Sequence, residues 1–214
     1  MSTTGGHGRV QASYDTVAEE YRQRIGGELA DKPLDRALLG MLAEEAVKNG
    51  APVADLGCGP GHVAAWLAER GAQVVGIDLS PAMVEIARRE HPGVEFRQGD
   101  LLELPAADGE FGAAVALYSV IHLEPAELGP AFAQMRRVLR PGGCLLLAFH
   151  LGTEVRHLDE WWGHEVEVDF HFLELEAVAG QLTDAGFTVQ ARLERANHPQ
   201  EAETLRGYLL ARRD

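Results

Sequence analysis

A chain of 214 residues, 46% apolar and 24% charged, suits one α/β domain with a large core and leaves little room for a second. Its formal charge of −14 repels phosphate backbones, which argues against nucleic acid as a partner, and no basic run exceeds two residues. No apolar run is long enough to span a membrane, and MSTTGGHGRV at the start lacks the apolar stretch of a signal peptide.

Residues 1–9 read as a mobile tail. Val10, Tyr14, Val17, Tyr21 and Ile25 then fall at steps of three or four, one face of a helix over 10–25. Leu34, Leu38, Met41, Leu42 and Ala46 mark a second helix over 34–48. The period changes at Pro52–Gly57, a short apolar run that predicts a buried strand. A helix follows over 61–70, stopped by Gly71, and Gln73–Asp78 is the second strand. Ser80 and Pro81 open the next helix as N-cap and first helical residue. Val94–Gln98 and Phe111–Ser119 are the third and fourth strands.

Pro125 is expected to open a helix through Leu128, Phe132, Met135 and Leu139. Pro141-Gly142-Gly143 reads as a turn and Cys144–His150 as the fifth strand. Residues 173–185 are helical, ended by Gly186, and Phe187–Leu193 and Gly207–Ala211 are the last strands. Alternating strands and helices imply a mostly parallel, doubly wound, Rossmann-like sheet with helices on both faces, which binds ligands beyond its carboxyl strand ends. Cys58 and Cys144 lie in apolar surroundings, which suits reduced thiols and a cytoplasmic setting.

The strongest motif is Val53-Ala54-Asp55-Leu56-Gly57-Cys58-Gly59-Pro60-Gly61, placed where a strand turns into a helix. Glycines there let the backbone turn sharply and approach a ligand closely. The spacing Gly57-x-Gly59-x-Gly61 departs from the G-x-G-x-x-G of nicotinamide enzymes. Asp55, two residues ahead, suits a ligand that carries positive charge, such as the sulfonium and α-amino groups of S-adenosylmethionine (SAM). Asp78, twenty-one residues beyond Gly57 at the end of the second strand, can accept both hydroxyls of a ribose.

With Val74–Ser80, Gly99-Asp100-Leu101 and Leu139-Arg140-Pro141-Gly142-Gly143, these residues resemble the class I SAM-dependent methyltransferases of the small bacterial kind. The resemblance covers residues 10–150 by motif and the remainder by order of elements. It implies a seven-stranded sheet whose last strand runs antiparallel. It places the turn at Gly57, Cys58, Gly59 and Gly61 against the methionine part of SAM and Asp55 near its amino group. Asp78 would hold the ribose, Leu79 and Met83 would pack on ribose and adenine, and Gly99, Asp100 and Leu101 would meet the adenine. Tyr14 and Tyr21 share one face of the first helix, which would close over the cofactor, so residues 10–48 form N-terminal helices over the site. S-adenosylhomocysteine would be the product.

Methyl transfer is an in-line displacement, and a base is needed only where the acceptor carries a proton. The fourth strand runs out through Tyr118, Ser119 and His122, beside the expected methyl position. His122 is the first candidate base, its alternative role being to cap the next helix or to bond the backbone; Tyr118 suits the cofactor pocket, and Ser119 and His122 the acceptor. Residues 151–172 combine Trp161 and Trp162 with titratable residues, as a lid or substrate region would. His150 and His164 are further candidate bases. The histidines at 150, 157, 164 and 171 lack the short spacings of a zinc site, so no metal is expected. The reading is one domain over 1–214 that transfers a methyl group from SAM to oxygen, nitrogen or carbon of a small metabolite. The alternatives are a SAM-binding protein of the same fold that catalyses a non-methylating step, such as a cyclisation, or a non-catalytic binding module.

Overall fold

The computed structural model describes residues 6–214. The chain order is α1 (Gly6–Ile25), α2 (Pro33–Asn49), β1 (Val53–Leu56), α3 (His62–Ala68), β2 (Val74–Asp78), α4 (Pro81–Glu90), β3 (Glu95–Gln98) and β4 (Phe111–Leu117). It continues with α5 (Leu128–Val138), β5 (Leu139–His150), β6 (Val155–Trp161), β7 (His164–His171), α6 (Leu175–Asp184), β8 (Phe187–Arg195) and β9 (Arg206–Arg213).

Seven strands form one sheet in the order β3-β2-β1-β4-β5-β9-β8. The strands β1 to β5 pair in parallel, and β9 runs antiparallel to both β5 and β8. The order reverses between β1 and β4, which opens a crevice at their carboxyl ends.

Successive residues of the central strands bury opposite faces. Val53, Val115 and Leu146 face a layer that includes Leu39, Leu42, Leu67 and Val84 of α2, α3 and α4. Ala54, Ala114, Leu145 and Leu147 face Phe132 and Met135 of α5 and Leu182 of α6. Both layers are drawn from water by apolar burial, worth about 1.5–3 kcal/mol for each large side chain. The N-terminus of α4 is fixed as its sequence predicts, with Ser80 Oγ accepting from Met83 N at 3.1 Å and Pro81 in the first position.

Four boundaries depart from expectation. Of the tail assigned to residues 1–9, residues 1–5 lie outside the described residues, and 6–9 are the first turn of α1. Helix α5 starts at Leu128 rather than Pro125, because Pro130 has no N–H to donate and fits only the first turn. It ends at Val138, and Leu139 is already extended, two residues ahead of Pro141. Pro141-Gly142-Gly143 lies inside β5 as a bulge: the register steps from Phe111–Leu139 to Ala113–Cys144, with Gly142 at φ 74°.

The region 151–172 is mostly a separate two-stranded antiparallel hairpin, β6–β7, whose strand β7 packs on α1. Its two-residue turn, Trp162-Gly163, has φ of 55° and 84°, the type I′ sign that matches strand twist. A tryptophan at positive φ costs on the order of 1–2 kcal/mol, so packing must hold it there.

Candidate active site

A cleft lies over the carboxyl ends of β1, β2 and β4, the place where such sheets bind ligands. Its walls include Gly57 and Gly59, Asp78 and Leu79, Gly99, Asp100 and Leu101, with Tyr14, Tyr21, Tyr118, Ser119 and His122. Gly57 has φ 74°, and a Cβ there would stand 2.2 Å from Ser119 Cβ, so only glycine fits. Gly61, at φ 84°, caps α3 against the Phe96 ring instead of lining the cleft.

Asp78 shapes the turn as well as facing the cleft. Its Oδ2 accepts from Gly59 N at 2.7 Å and its Oδ1 from Ser80 N at 2.9 Å. Burial nevertheless pushes its pKa up to about 6, against the pull of these two N–H donors. Asp55, 2% exposed, is pushed up to about 7 by burial, with His62 opposing and Asp78 adding to the rise. Its Oδ2 is buried without a hydrogen-bond partner. Such an oxygen is costly to leave alone and is matched by a cationic donor.

At the far end Asp100 Oδ1 accepts from Leu102 N at 2.8 Å, while Oδ2 is 2.7 Å from His7 Nδ1. His7 Nε2 lies 3.3 Å from Glu127. Burial lowers the His7 pKa, but the two carboxylates outweigh it and hold it above its usual value. Neither His7 nor its tie to Asp100 was legible in a segment read as a tail. Asp15 is a second unforeseen residue: its Oδ1 accepts from Ser80 Oγ at 2.5 Å and from Ala82 N at 3.2 Å, tying α1 to α4.

A second cavity of about 430 Å³ adjoins the cleft and shares Tyr14, Tyr21, Gly57, Gly59, Leu117 and Tyr118 with it. Asp55, Cys58, His150, Trp161, Trp162 and Phe170 are among its other lining residues. Tyr118, which borders both spaces, has φ 56°, a strained backbone at the junction. Met83 lines neither space; it is buried against Ala18 and Ile86, where it packs α4 on α1.

The three candidate bases are placed differently. His122 Nδ1 is 2.9 Å from the Asp169 carbonyl and Nε2 is 2.7 Å from Tyr14 Oη. Burial pulls its pKa down to about 4, so the ring is neutral near pH 7. A carbonyl only accepts, so the proton sits on Nδ1, and Tyr14 donates to Nε2. His150 faces the second cavity between the Tyr118 and Phe172 rings, with Nδ1 2.9 Å from Thr204 Oγ1; burial also lowers it to about 4. His164, beside the hairpin turn, lines neither space. Ser119 lines the cleft, and its Oγ donates to the Leu56 carbonyl at 2.8 Å.

A family model described as a methyltransferase domain matches residues 53–143, the span from β1 to the bulge of β5. A demethylmenaquinone methyltransferase of Beutenbergia cavernae is 35% identical over 143 residues, 65% of this chain and 57% of that protein. A malonyl-[acyl-carrier protein] O-methyltransferase of Serratia marcescens is 27% identical over 92% of this chain and 72% of its own length. The chain thus spans little more than half of the first of these relatives. Among solved structures, magnesium protoporphyrin IX methyltransferase from Synechocystis PCC 6803 with bound SAM superposes with a TM-score of 0.72. It is 19% identical, and the match covers 100% of both chains.

Proposed function

Since the chain belongs to the class I SAM-dependent methyltransferases, we propose that it binds SAM in the cleft at Gly57–Asp78 and methylates a small-molecule acceptor held in the adjoining cavity. The observation that carries this reading is the juxtaposition of Asp78, at the end of β2, with the glycine turn after β1 and the unpartnered Asp55 Oδ2. A ligand with a ribose and a cationic amino group satisfies both carboxylates, as SAM does.

Asp78 would accept from the ribose hydroxyls, Asp55 would pair with the amino group, and Asp100 with Leu79 and Leu101 would hold the adenine. Tyr21 would meet the carboxylate end. When bound, SAM supplies an electrophilic methyl on a sulfonium. The chain's own part is to align the acceptor, keep water out and take up a proton. Helix α1 and the β6–β7 hairpin, packed on each other, serve as the cover.

Tyr14 Oη stands where cleft and cavity meet, with its hydrogen directed at His122 Nε2. A proton leaving the acceptor passes to Tyr14 Oη as the Tyr14 proton passes to His122 Nε2. The Asp169 carbonyl holds the resulting imidazolium by Nδ1–H. A base as weak as His122 is adequate, because an acceptor oxygen becomes strongly acidic as its new bond to carbon forms.

No helix among the described residues is long and apolar enough to cross a membrane. Buried, unpaired Cys58 and Cys144 support a cytoplasmic setting, and the net charge of −14 supports a small molecule over nucleic acid.

Incubation with methyl-labelled SAM and a library of small acceptors tests the reading. Label in an acceptor, with matching release of S-adenosylhomocysteine, is the expected result. SAM binding with no label transferred to any acceptor contradicts a methyltransferase and leaves a binding module.

A further inference from the structure

The second cavity carries information about its occupant that no relative's name supplies. Its rings form one contiguous wall across α1 and the β6–β7 hairpin. Tyr14 and Tyr21 of α1 lie 5.5 and 5.9 Å, centroid to centroid, from Trp161 of β6. Trp161 is 4.9 Å from Trp162 and 5.6 Å from Phe170 of β7. Trp162 is held in this wall at φ 55°, a conformation that nearly any hairpin turn would give to asparagine or glycine. Rings in edge-to-face array offer wide apolar faces to another ring system.

The charged side chains around the same cavity cancel among themselves. Lys32 Nζ lies 2.7 Å from Glu28 and 3.2 Å from Glu201. Arg195 meets Glu201 with two bonds, of 2.6 and 2.9 Å, and reaches Asp35 at 3.5 Å. Arg206 is 3.5 Å from Glu201 and donates to the Ala202 carbonyl. Lys32, Arg206, Glu28 and Glu201 line the cavity, and Arg195 and Asp35 join the same network outside its lining, so three cations meet three carboxylates, all but Glu28 about nine-tenths buried or more by side chain. His122 and His150, the imidazoles nearest the rings, are neutral by burial. An ionised acceptor would lose its hydration here and compete with carboxylates already in place: Arg206 Nε makes no hydrogen bond but lies 3.5 Å from Glu201, and Asp55 is taken by the cofactor's amino group.

Tyr14 fixes the polarity of the reacting group. Its hydrogen is committed to His122 Nε2, so what it presents to the cavity is an oxygen lone pair, which accepts from O–H or N–H.

Resting on the reading above, we propose that the acceptor is an uncharged, flat, conjugated molecule whose methylated atom carries a hydrogen, as a phenolic hydroxyl or ring N–H does. The aromatic wall stacks the ring system, and Tyr14 accepts from the reacting group.

Three probes with one ring system and different charge test this: 1-naphthol, 1-naphthoate and 1-naphthylmethylammonium. Each is titrated calorimetrically at pH 7 into the full chain saturated with S-adenosylhomocysteine. The proposal expects 1-naphthol to bind at least about tenfold more tightly than either ion. It also expects Trp161→Ala to abolish 1-naphthol binding while S-adenosylhomocysteine still binds. Trp162→Asn, which keeps the turn geometry, should weaken 1-naphthol in the same way and guards against a folding defect in the first variant. Equal or tighter binding of a charged probe, no binding of 1-naphthol, or 1-naphthol binding untouched in both variants overturns the proposal. Failure of S-adenosylhomocysteine to bind the unaltered chain is a different outcome: it removes the cofactor reading, and the proposal falls with it.

Discussion

Tyr14 and His122, 108 residues apart in sequence, share a 2.7 Å hydrogen bond that joins the N-terminal helix to the turn after β4. Asp169 of the hairpin completes the chain on the other side of the imidazole. Three segments that must close together over a substrate thus meet at one ring.

Loss of the Tyr14 hydroxyl leaves His122 Nε2 as a buried lone pair without a donor. Tyr14→Phe is expected to lower the unfolding free energy by about 1–3 kcal/mol, read from urea denaturation. His122→Ala should reduce turnover by roughly a hundredfold or more once an acceptor is in hand, with SAM affinity little changed. Retained turnover would remove His122 from the proton path.

The pH dependence follows from Asp55 and Asp78. Both have folded pKa values above the usual carboxyl range, about 7 and about 6. A raised carboxyl pKa contributes stability that is full below the unfolded pKa and is lost as pH rises through the folded one. The cofactor-free protein should therefore melt at a lower temperature at pH 8 than at pH 5.5. His7, raised by Asp100 and Glu127, acts in the same direction above its ordinary range. A cationic ligand favours ionised Asp55, so SAM affinity should climb with pH by up to about tenfold per unit below 7 and then level off. Calorimetry across that range checks both limbs; a flat affinity profile would detach Asp55 from the ligand.

Asp78→Ala removes the proposed ribose acceptor together with the anchors of Gly59 N and Ser80 N. SAM binding should weaken by about 1.5–3 kcal/mol, roughly ten- to a hundredfold or somewhat more. Unchanged affinity in the same titration would place the ribose elsewhere.

Trp162→Asn exchanges a tryptophan held at φ 55° for a residue that tolerates that conformation. The variant should be as stable as the parent, or more stable by up to about 1 kcal/mol, in thermal unfolding. A clear loss of stability would show that the Trp162 contacts with Tyr21 and Arg24 outweigh the backbone strain.

The glycine turn, Asp78 and the order of sheet strands were legible because each depends on a few adjacent residues. The hairpin left a signal too: Val166, Val168, Phe170 and Phe172 alternate with polar residues over β7 and just beyond. What hid it was the turn, since a tryptophan occupies a position where asparagine or glycine marks a type I′ bend. Pro130 marks the start of α5: without an N–H it fits only a first turn, and a helix begun at Pro125 would put it in the interior. No local pattern announces His7 on Asp100, or Lys32, Asp35, Arg195 and Glu201 in one ion-pair network. Those pairings join residues 93 and 160 positions apart, as in His7–Asp100 and Asp35–Arg195, and exist only once the sheet has formed.

Every role assigned to these residues requires SAM to bind in the cleft between the glycine turn and Asp78. Calorimetric titration of the purified protein with SAM, S-adenosylhomocysteine and NAD tests that most directly. Micromolar binding of the first two and none of NAD is the predicted result; saturable NAD binding with no heat from either adenosyl ligand would contradict it.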